Sequence, residues 1–430
     1  MNICVEGLWH LGTVMAGCLA TTDNKIIGLD FDQKVVERLN SSTTLPIYEP
    51  HLLELIEEGT KSGNLTFTSD ISLALLDADI WWICYDTKVD DHDHANTNEI
   101  IEIFEVGLKH VNDNCIVIFS SQLPVGTIGM LYEKHKSIIL SKNLHFACVP
   151  ENLRLGNAIN TFLNTDRFII GTDSDYAFLR ISDLLQSFSP MIRKVSIESA
   201  EMIKHAINTF LALEIAYINE IAEICKVVGA NSLEVSQGLK TDLRIGQNAY
   251  LRPGAGFAGG TLARDVTFLE SVIVESKTFA PIIDSIKASN SHRNSWVLRN
   301  ITQLYNEARI RKISFLGLTY KSDTNTLRRS IAMQVIKDLK DLEVEIRIFD
   351  EQGLDLSDFS ELKFSVCSDF NQALQGADCL VIGNLSPTLM GTDWKKMLDS
   401  NQHLVILDQN GLVCEDINLE GMELRYLTSI

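Results

Sequence analysis

The chain has 430 residues, a hydrophobic fraction of 45%, a charged fraction of 22% and a formal net charge of −20. That length exceeds one ordinary core, so two or three domains are expected, and the composition is globular rather than disordered. The acidic balance excludes a nucleic-acid partner, which needs a basic footprint, but admits a phosphorylated small molecule, which needs only a local cluster of Arg, Lys and backbone N–H groups.

The nine cysteines are scattered, with no CxxC pair and no metal-ligand spacing. They read as reduced thiols of a cytoplasmic protein, and no metal is expected. Apolar runs such as IWWIC are far shorter than the ~18–20 residues a membrane span needs. The segment MNICVEG is strand-like, with no charged leader.

In chain order, NICVE (2–6) predicts a strand, GLWHLGTVMAGCLA a turn and helix, and IIGLD a second strand ending at Asp30. This is the layout of a dinucleotide-binding βαβ unit. Gly7 and Gly12 stand where G-x-G-x-x-G needs them, but Trp9 takes the middle position, which normally lets the backbone reach a pyrophosphate. The candidate cofactor residues here are Gly7, Leu8, Trp9, His10, Leu11, Gly12 and Asp30. An acid at Asp30 favours NAD over NADP, whose 2′-phosphate it repels.

ADIWWICY (78–85), CIVIFSS (115–121) and LHFACVP (144–150) are further strands, with helical patterns between them. Trp81 and Trp82 are expected in the sheet core and at its edge. The alternation predicts a parallel sheet covered on both faces.

Residues 199–228 break that rhythm with apolar residues at three- and four-residue spacing, and Gly229 is a plausible stop. So long a helix reads as a spine between domains. Lys204 and Asn208, four apart, share one of its faces. GFAGGTLARD (256–265) comes next, a glycine-rich loop that lets backbone approach a ligand and hands over side chains. From 312 the alternation restarts with KISFLGLTY, a helix over SIAMQVIKDLKDL, then EIRIFD, ADCLVIGN and VILDQN. The predicted fold class is two Rossmann-like doubly wound α/β domains joined by a long central helix. The domains are expected at 1–197, 198–297 and 298–430.

Several of these segments resemble the UDP-glucose/GDP-mannose dehydrogenase family. LPIYEPHL (45–52) is similar to its PIYEPGL, SSQLPVGT (120–127) to STVPVGT, and VPENLRLG (149–156) to NPEFLREG. AEMIKHAINTFLALEIAYINE (200–220) resembles the spine helix with its Lys and Asn. RIGQNAYLRPGAGFAGGTLARD (244–265) resembles RIG…PGxGFGGSCFPKD, and LGLTYKSDTNTLRRSIA (316–332) the later LGLAFKPNTDDxRxSPA. Order and spacing agree along essentially the whole chain.

The resemblance implies an NAD-binding first domain, a helical centre that makes a homodimer, and a last domain that grips the nucleotide diphosphate. It implies NAD-dependent oxidation of a nucleotide-sugar alcohol, of the kind UDP-glucose 6-dehydrogenases perform, in a role such as polysaccharide biosynthesis. It carries catalytic roles to Lys204, Asn208, Asp265, Glu151 and Thr261. Thr87, Gln122 and Arg328 fall at cofactor positions. Asn152, Leu153, Arg154, Arg244, Tyr250, Gly256, Phe257 and Lys321 fall at substrate positions, with Arg244 reaching from the partner subunit.

Three departures cluster around the expected reacting carbon. The family's catalytic Cys is Thr261, the Thr of STVP is Gln122, and the second acid of NPEFLREG is Leu155. The family's DGRN looks like DQN at 408–410, without its Arg. A thiol captures an aldehyde as a thioester, whereas an unactivated aliphatic hydroxyl is a weak nucleophile. The residues therefore suit an oxidation that stops at an aldehyde or ketone. The alternative is a nucleotide-sugar binding protein with transient, epimerase-like redox chemistry or none. The bland readings are an Asp265 that caps a helix, a Glu151 that pairs with Arg154, and a Thr261 hydroxyl that bonds its own loop.

Overall fold

The computed structural model describes the chain except for residues 42–44, 91–92, 94, 152, 259, 320–326, 328, 352–353, 385–390, 395, 397–402 and 414–425. It forms two compact units, Met1–Ile207 and Asn208–Ile430.

The first unit is built on β1 (Asn2–Glu6), β2 (Lys25–Leu29), β3 (Leu65–Thr68) and β4 (Ile80–Ile83). A short antiparallel hairpin, β5 (Lys88–Val89) and β6 (Ala95–Asn96), stands apart from the sheet. β7 (Ile116–Phe119), β8 (His145–Cys148), β9 (Phe168–Gly171) and β10 (Ile192–Val195) complete it. The described sheet runs β10-β9-β8-β7-β4-β1-β2-β3. Every pairing is parallel except β8 with β9, so the last two strands run against the rest. β1, β4 and β7 lie inside the sheet, and apart from the exposed Asn2 their residues are buried on both faces, as interior strands of a helix-covered sheet require.

Alternation along β4 sends its two tryptophans to opposite layers. Trp82 joins the core with Ile3, Val5 and Leu19, whereas Trp81 joins that of Phe104 and Phe119. Neither is at an edge: both are fully buried. Each indole N–H has an acceptor, Ser120 Oγ at 2.8 Å for Trp82 and Glu6 Oε2 at 2.5 Å for Trp81.

The spine helix, Ile197–Val228, runs 32 residues and stops at Gly229, whose φ of 75° suits glycine. The second unit's sheet has β11 (Lys312–Leu316), β12 (Glu345–Phe349), β13 (Ser365–Val366), β14 (Cys379–Ile382), β15 (Val405–Asp408) and β16 (Tyr426–Thr428). Their order is β13-β12-β11-β14-β15-β16, parallel throughout. The order reverses direction beside β11, between β12 and β14, and the crevice outside the strand ends there is the usual ligand position of such sheets. No described helix is long and apolar enough to cross a membrane.

Candidate active site

The glycine turn closes as its sequence requires. Gly7 leaves β1 at φ 96°, and a Cβ there would meet the Tyr85 ring at 2.9 Å. A Cβ on Gly12 would meet the Gly7 carbonyl oxygen at 2.0 Å, so the helix His10–Leu19 can start this close to the strand only with glycine. Asp30 Oδ2 accepts Leu8 N–H at 2.7 Å and Oδ1 accepts Asp32 N–H at 2.9 Å. The carboxylate is thereby fixed at the end of β2, beside the turn. The helix has no side-chain cap and no acid in its first turn, which leaves its N-terminus to an anion. Leu8 and Leu11 face the core rather than a ligand.

Loops after the neighbouring strands meet this turn's surroundings. Thr87 donates to the Gln122 carbonyl at 2.5 Å, joining the segments after β4 and β7. His10 Nε2 lies 2.8 Å from Glu49 Oε2, and the buried Glu49 also accepts the N–H groups of Gly156 and Ala158 at 2.8 Å each. One carboxylate thus ties LPIYEPHL, the first helix and the end of VPENLRLG together. Glu151 does not pair with Arg154, which is exposed. Its Oε2 accepts Leu153 N–H at 2.5 Å. Lys204 Nζ donates to the Glu151 carbonyl at 2.5 Å and lies 3.6 Å from Oε1. The Lys204 side chain is 11% exposed.

In the second unit, Asn208 Nδ2 donates to Asp265 Oδ2 at 2.5 Å, and Asp265 is fully buried. Asp265 sits one turn inside the helix Thr261–Ser276, so it is no cap. Thr261 is the first residue of that helix and is exposed, not part of the loop before it. Arg244 is held by Asp242, Nη2 to Oδ2 at 2.6 Å, with its side chain 89% exposed. Tyr250 is partly exposed, and its backbone N–H donates to Glu214 at 3.2 Å.

The loop before Thr261 has no secondary structure of its own, so its polar backbone needs partners. Asn219 accepts Gly254 N–H at 2.9 Å and donates to the Ala255 carbonyl at 3.4 Å. Asn410 accepts Ala255 N–H at 2.7 Å, and Arg293 Nε donates to the Gly254 carbonyl at 2.6 Å. Asn290 accepts Phe257 N–H at 2.8 Å and donates to its carbonyl at 3.0 Å, which Asn294 also reaches at 3.3 Å. A Cβ on Gly256 would meet Asn290 Oδ1 at 2.3 Å, hence glycine.

Three family models match in the order this layout requires. The NAD binding domain of the UDP-glucose/GDP-mannose dehydrogenase family matches residues 1–189, its central domain 198–292 and its UDP binding domain 314–414. The chain belongs to this family. It is 31% identical to the UDP-glucose 6-dehydrogenase TuaD of Bacillus subtilis (strain 168) over 99% of this chain and 90% of that one. It is 29% identical to the UDP-glucose 6-dehydrogenase of Rickettsia bellii over 100% and 99%. Its fold is that of a UDP-glucose dehydrogenase from Pyrobaculum islandicum, with TM-score 0.82 and 23% identity over 94% of this chain and 93% of that one. The protein is an enzyme, an NAD-dependent nucleotide-sugar dehydrogenase, and the turn from Gly7 to Asp30 fits the dinucleotide.

Within this dehydrogenase fold, a cavity of about 270 Å³ lies in the second unit, in the crevice beside β11 and β14. Ala255, Gly256, Gly317, Thr319, Asn384 and Asn410 are on its wall, and none of its described lining residues is charged. Lys321, Arg328 and Asn152 lie outside the described residues. Asn410, the last residue of DQN, accepts the Ala255 backbone N–H at 2.7 Å.

Burial pushes Cys18 and Cys115 up to about 12 and holds Cys4, Cys84 and Cys148 above the ordinary thiol range. Asn219, Asn290, Arg293 and Asn294 carry little signal in the sequence, because an isolated polar residue on a helix looks like a solvated one. The signal in the sequence is N-x-x-x-N at 290–294, two amides one turn apart on one face.

Proposed function

We propose that this dehydrogenase oxidises an alcohol of a UDP-hexose at a site that forms no thioester. The observation that carries the reading is the buried Asn208–Asp265 pair, set one helical turn from Lys204 on the spine. NAD supplies the hydride acceptor. Lys204, its ammonium already turned to a carbonyl and a carboxylate of Glu151, balances negative charge on the sugar oxygen as its proton leaves. Asp265 takes that proton, oriented by the Asn208 amide. One C–H bond breaks with its electron pair going to NAD, so alcohol and NAD⁺ give aldehyde or ketone, NADH and a proton.

A second oxidation needs an aldehyde adduct that can lose another hydride. A thiol provides one as a hemithioacetal, and Thr261 does not, because an alkanol without a base beside it is a poor nucleophile. The reading is tested by mixing protein, NAD and a panel of UDP-, GDP-, dTDP- and CDP-sugars and counting NADH per sugar consumed. One NADH on a UDP-hexose is the expected result. Two NADH point to oxidation through the aldehyde hydrate and overturn the single-step reading.

The spine helix supports a homodimer. Phe210, Tyr217 and Ile224 recur every seven residues and are 58%, 48% and 56% exposed. A second copy presents the same apolar stripe, the self-complementary arrangement of a two-fold interface. A sedimentation experiment that finds Phe210→Asp and the native chain at the same monomer mass removes this assembly.

A further inference from the structure

The turn departs from the glycine pattern at Trp9, where the phosphates of a dinucleotide come closest to the backbone. The backbone there has φ −82° and ψ −140°, so the indole imposes no left-handed strain. Its neighbours are committed elsewhere. Leu8 and Leu11 are 0% and 5% exposed, and His10 is turned to Glu49. Trp9 itself is 49% exposed. Of the five tryptophans, Trp81, Trp82, Trp296 and Trp394 are no more than 4% exposed. A half-exposed indole therefore stands at the N-cap of the uncapped first helix, within the cofactor turn.

A side chain at this position keeps the phosphates from resting on the Trp9 backbone, and whatever meets the dinucleotide here has to be the side chain. An indole offers one N–H donor and a flat face. We propose that Trp9 is a cofactor-contact residue, its indole lying against the pyrophosphate side of bound NAD and its N–H donating to a phosphate oxygen. This contact replaces the close backbone approach that glycine permits. The inference rests on NAD binding at the Gly7–Asp30 turn and is specific to this chain's own departure from the pattern.

The test needs no turnover. Because the other four tryptophans are buried, acrylamide quenching of the full-length protein reports on Trp9. Saturating NAD is expected to shield that emission. By calorimetry, Trp9→Ala weakens NAD binding about tenfold and Trp9→Phe less, because phenylalanine keeps a face and loses the donor. The melting temperature without NAD stays where it is. Unchanged quenching at saturating NAD overturns the proposal, and so does a Trp9→Gly variant that binds NAD more tightly, which marks the indole as an obstacle. If the native chain binds no NAD at all, the cofactor assignment of the turn fails instead.

Discussion

The protein contains the same turn twice. In the first unit β1 runs into Gly7 at φ 96°, and Leu8 N–H donates to Asp30 at 2.7 Å. In the second, β11 runs into Gly317 at φ 74°, and Leu318 N–H donates to Asp350 at 2.7 Å. In both, a second glycine packs on the first one's carbonyl: Gly12 on Gly7, and Gly383 on Gly317. The two part at the helix start. The first turn feeds a helix with no side-chain cap, whereas the helix Ile331–Asp338 is capped by the Ser330 hydroxyl on Met333 N–H at 3.1 Å. An uncapped helix start keeps its N–H groups for a ligand's phosphates, and a capped one has already used part of that capacity. Two similar frames thus differ in the residues that open their helices.

A second difference sits at the end of the strand before the turn. Glu6 ends β1, fully buried, where Leu316 ends β11. Burial pushes the Glu6 carboxyl from 4.5 up to about 8, opposed in part by the Trp81 hydrogen bond. The folded chain therefore keeps a proton that the unfolded chain releases above pH 4.5. Stability from this group is fully present below pH 4.5 and is lost as pH rises to about 8. The expected fall is on the order of a few kcal/mol, larger than that of any substitution below. Thermal melts of the native chain and Glu6→Gln across that range check it: the variant should lose the slope.

The glycine pairs give the next largest effect. A Cβ at Gly12 or Gly383 would lie 2.0 or 2.1 Å from a carbonyl oxygen. Gly12→Ala and Gly383→Ala should each cost about 1–3 kcal/mol in denaturant unfolding. Only the first is expected to abolish NAD binding in calorimetry. Equal loss of NAD binding in both would erase the functional distinction between the turns.

Asp30→Ala and Asp350→Ala remove the same hydrogen bond from each turn. Asp30→Ala is also expected to weaken NAD about a hundredfold, roughly 2.7 kcal/mol. Asp350→Ala should leave the NAD affinity of the native chain in place. The smallest effect is at the cap: Ser330→Ala should lower stability by about 1 kcal/mol, read as a shift in the denaturant midpoint, without changing NAD affinity.

Much of this frame was legible in the residues. Interior strands such as IWWI and IVIF are continuous apolar runs, and the spine helix lies within two residues of its expected start. β9 and β10 escaped notice. IRKV is a partly exposed edge strand with two charged residues in four, which carries little strand signal. The reversal of direction at β8–β9 is a tertiary choice that no local pattern encodes. In the candidate site, spacing and resemblance single out Lys204, Asn208 and Asp265, and the structure joins Asn208 to Asp265 by a hydrogen bond. The misplaced details were local ones: Asp265 lies inside its helix and Thr261 opens it. The side chains that hold the glycine-rich loop could not be read, because their partners are backbone atoms distant in sequence.

That loop has a consequence for how the enzyme can change. Gly254, Ala255 and Phe257 are anchored by Asn219, Asn290, Arg293, Asn294 and Asn410, which come from the spine helix, the helix Pro281–Asn294 and the segment after β15. The loop's shape is written almost entirely outside the loop. Transplanting residues 254–260 into a relative moves the letters without the shape. Conversely, an alteration at Asn410 or Asn294 can reshape the glycine-rich loop while its own sequence stays untouched, so its shape can change from positions that no inspection of the loop itself would single out.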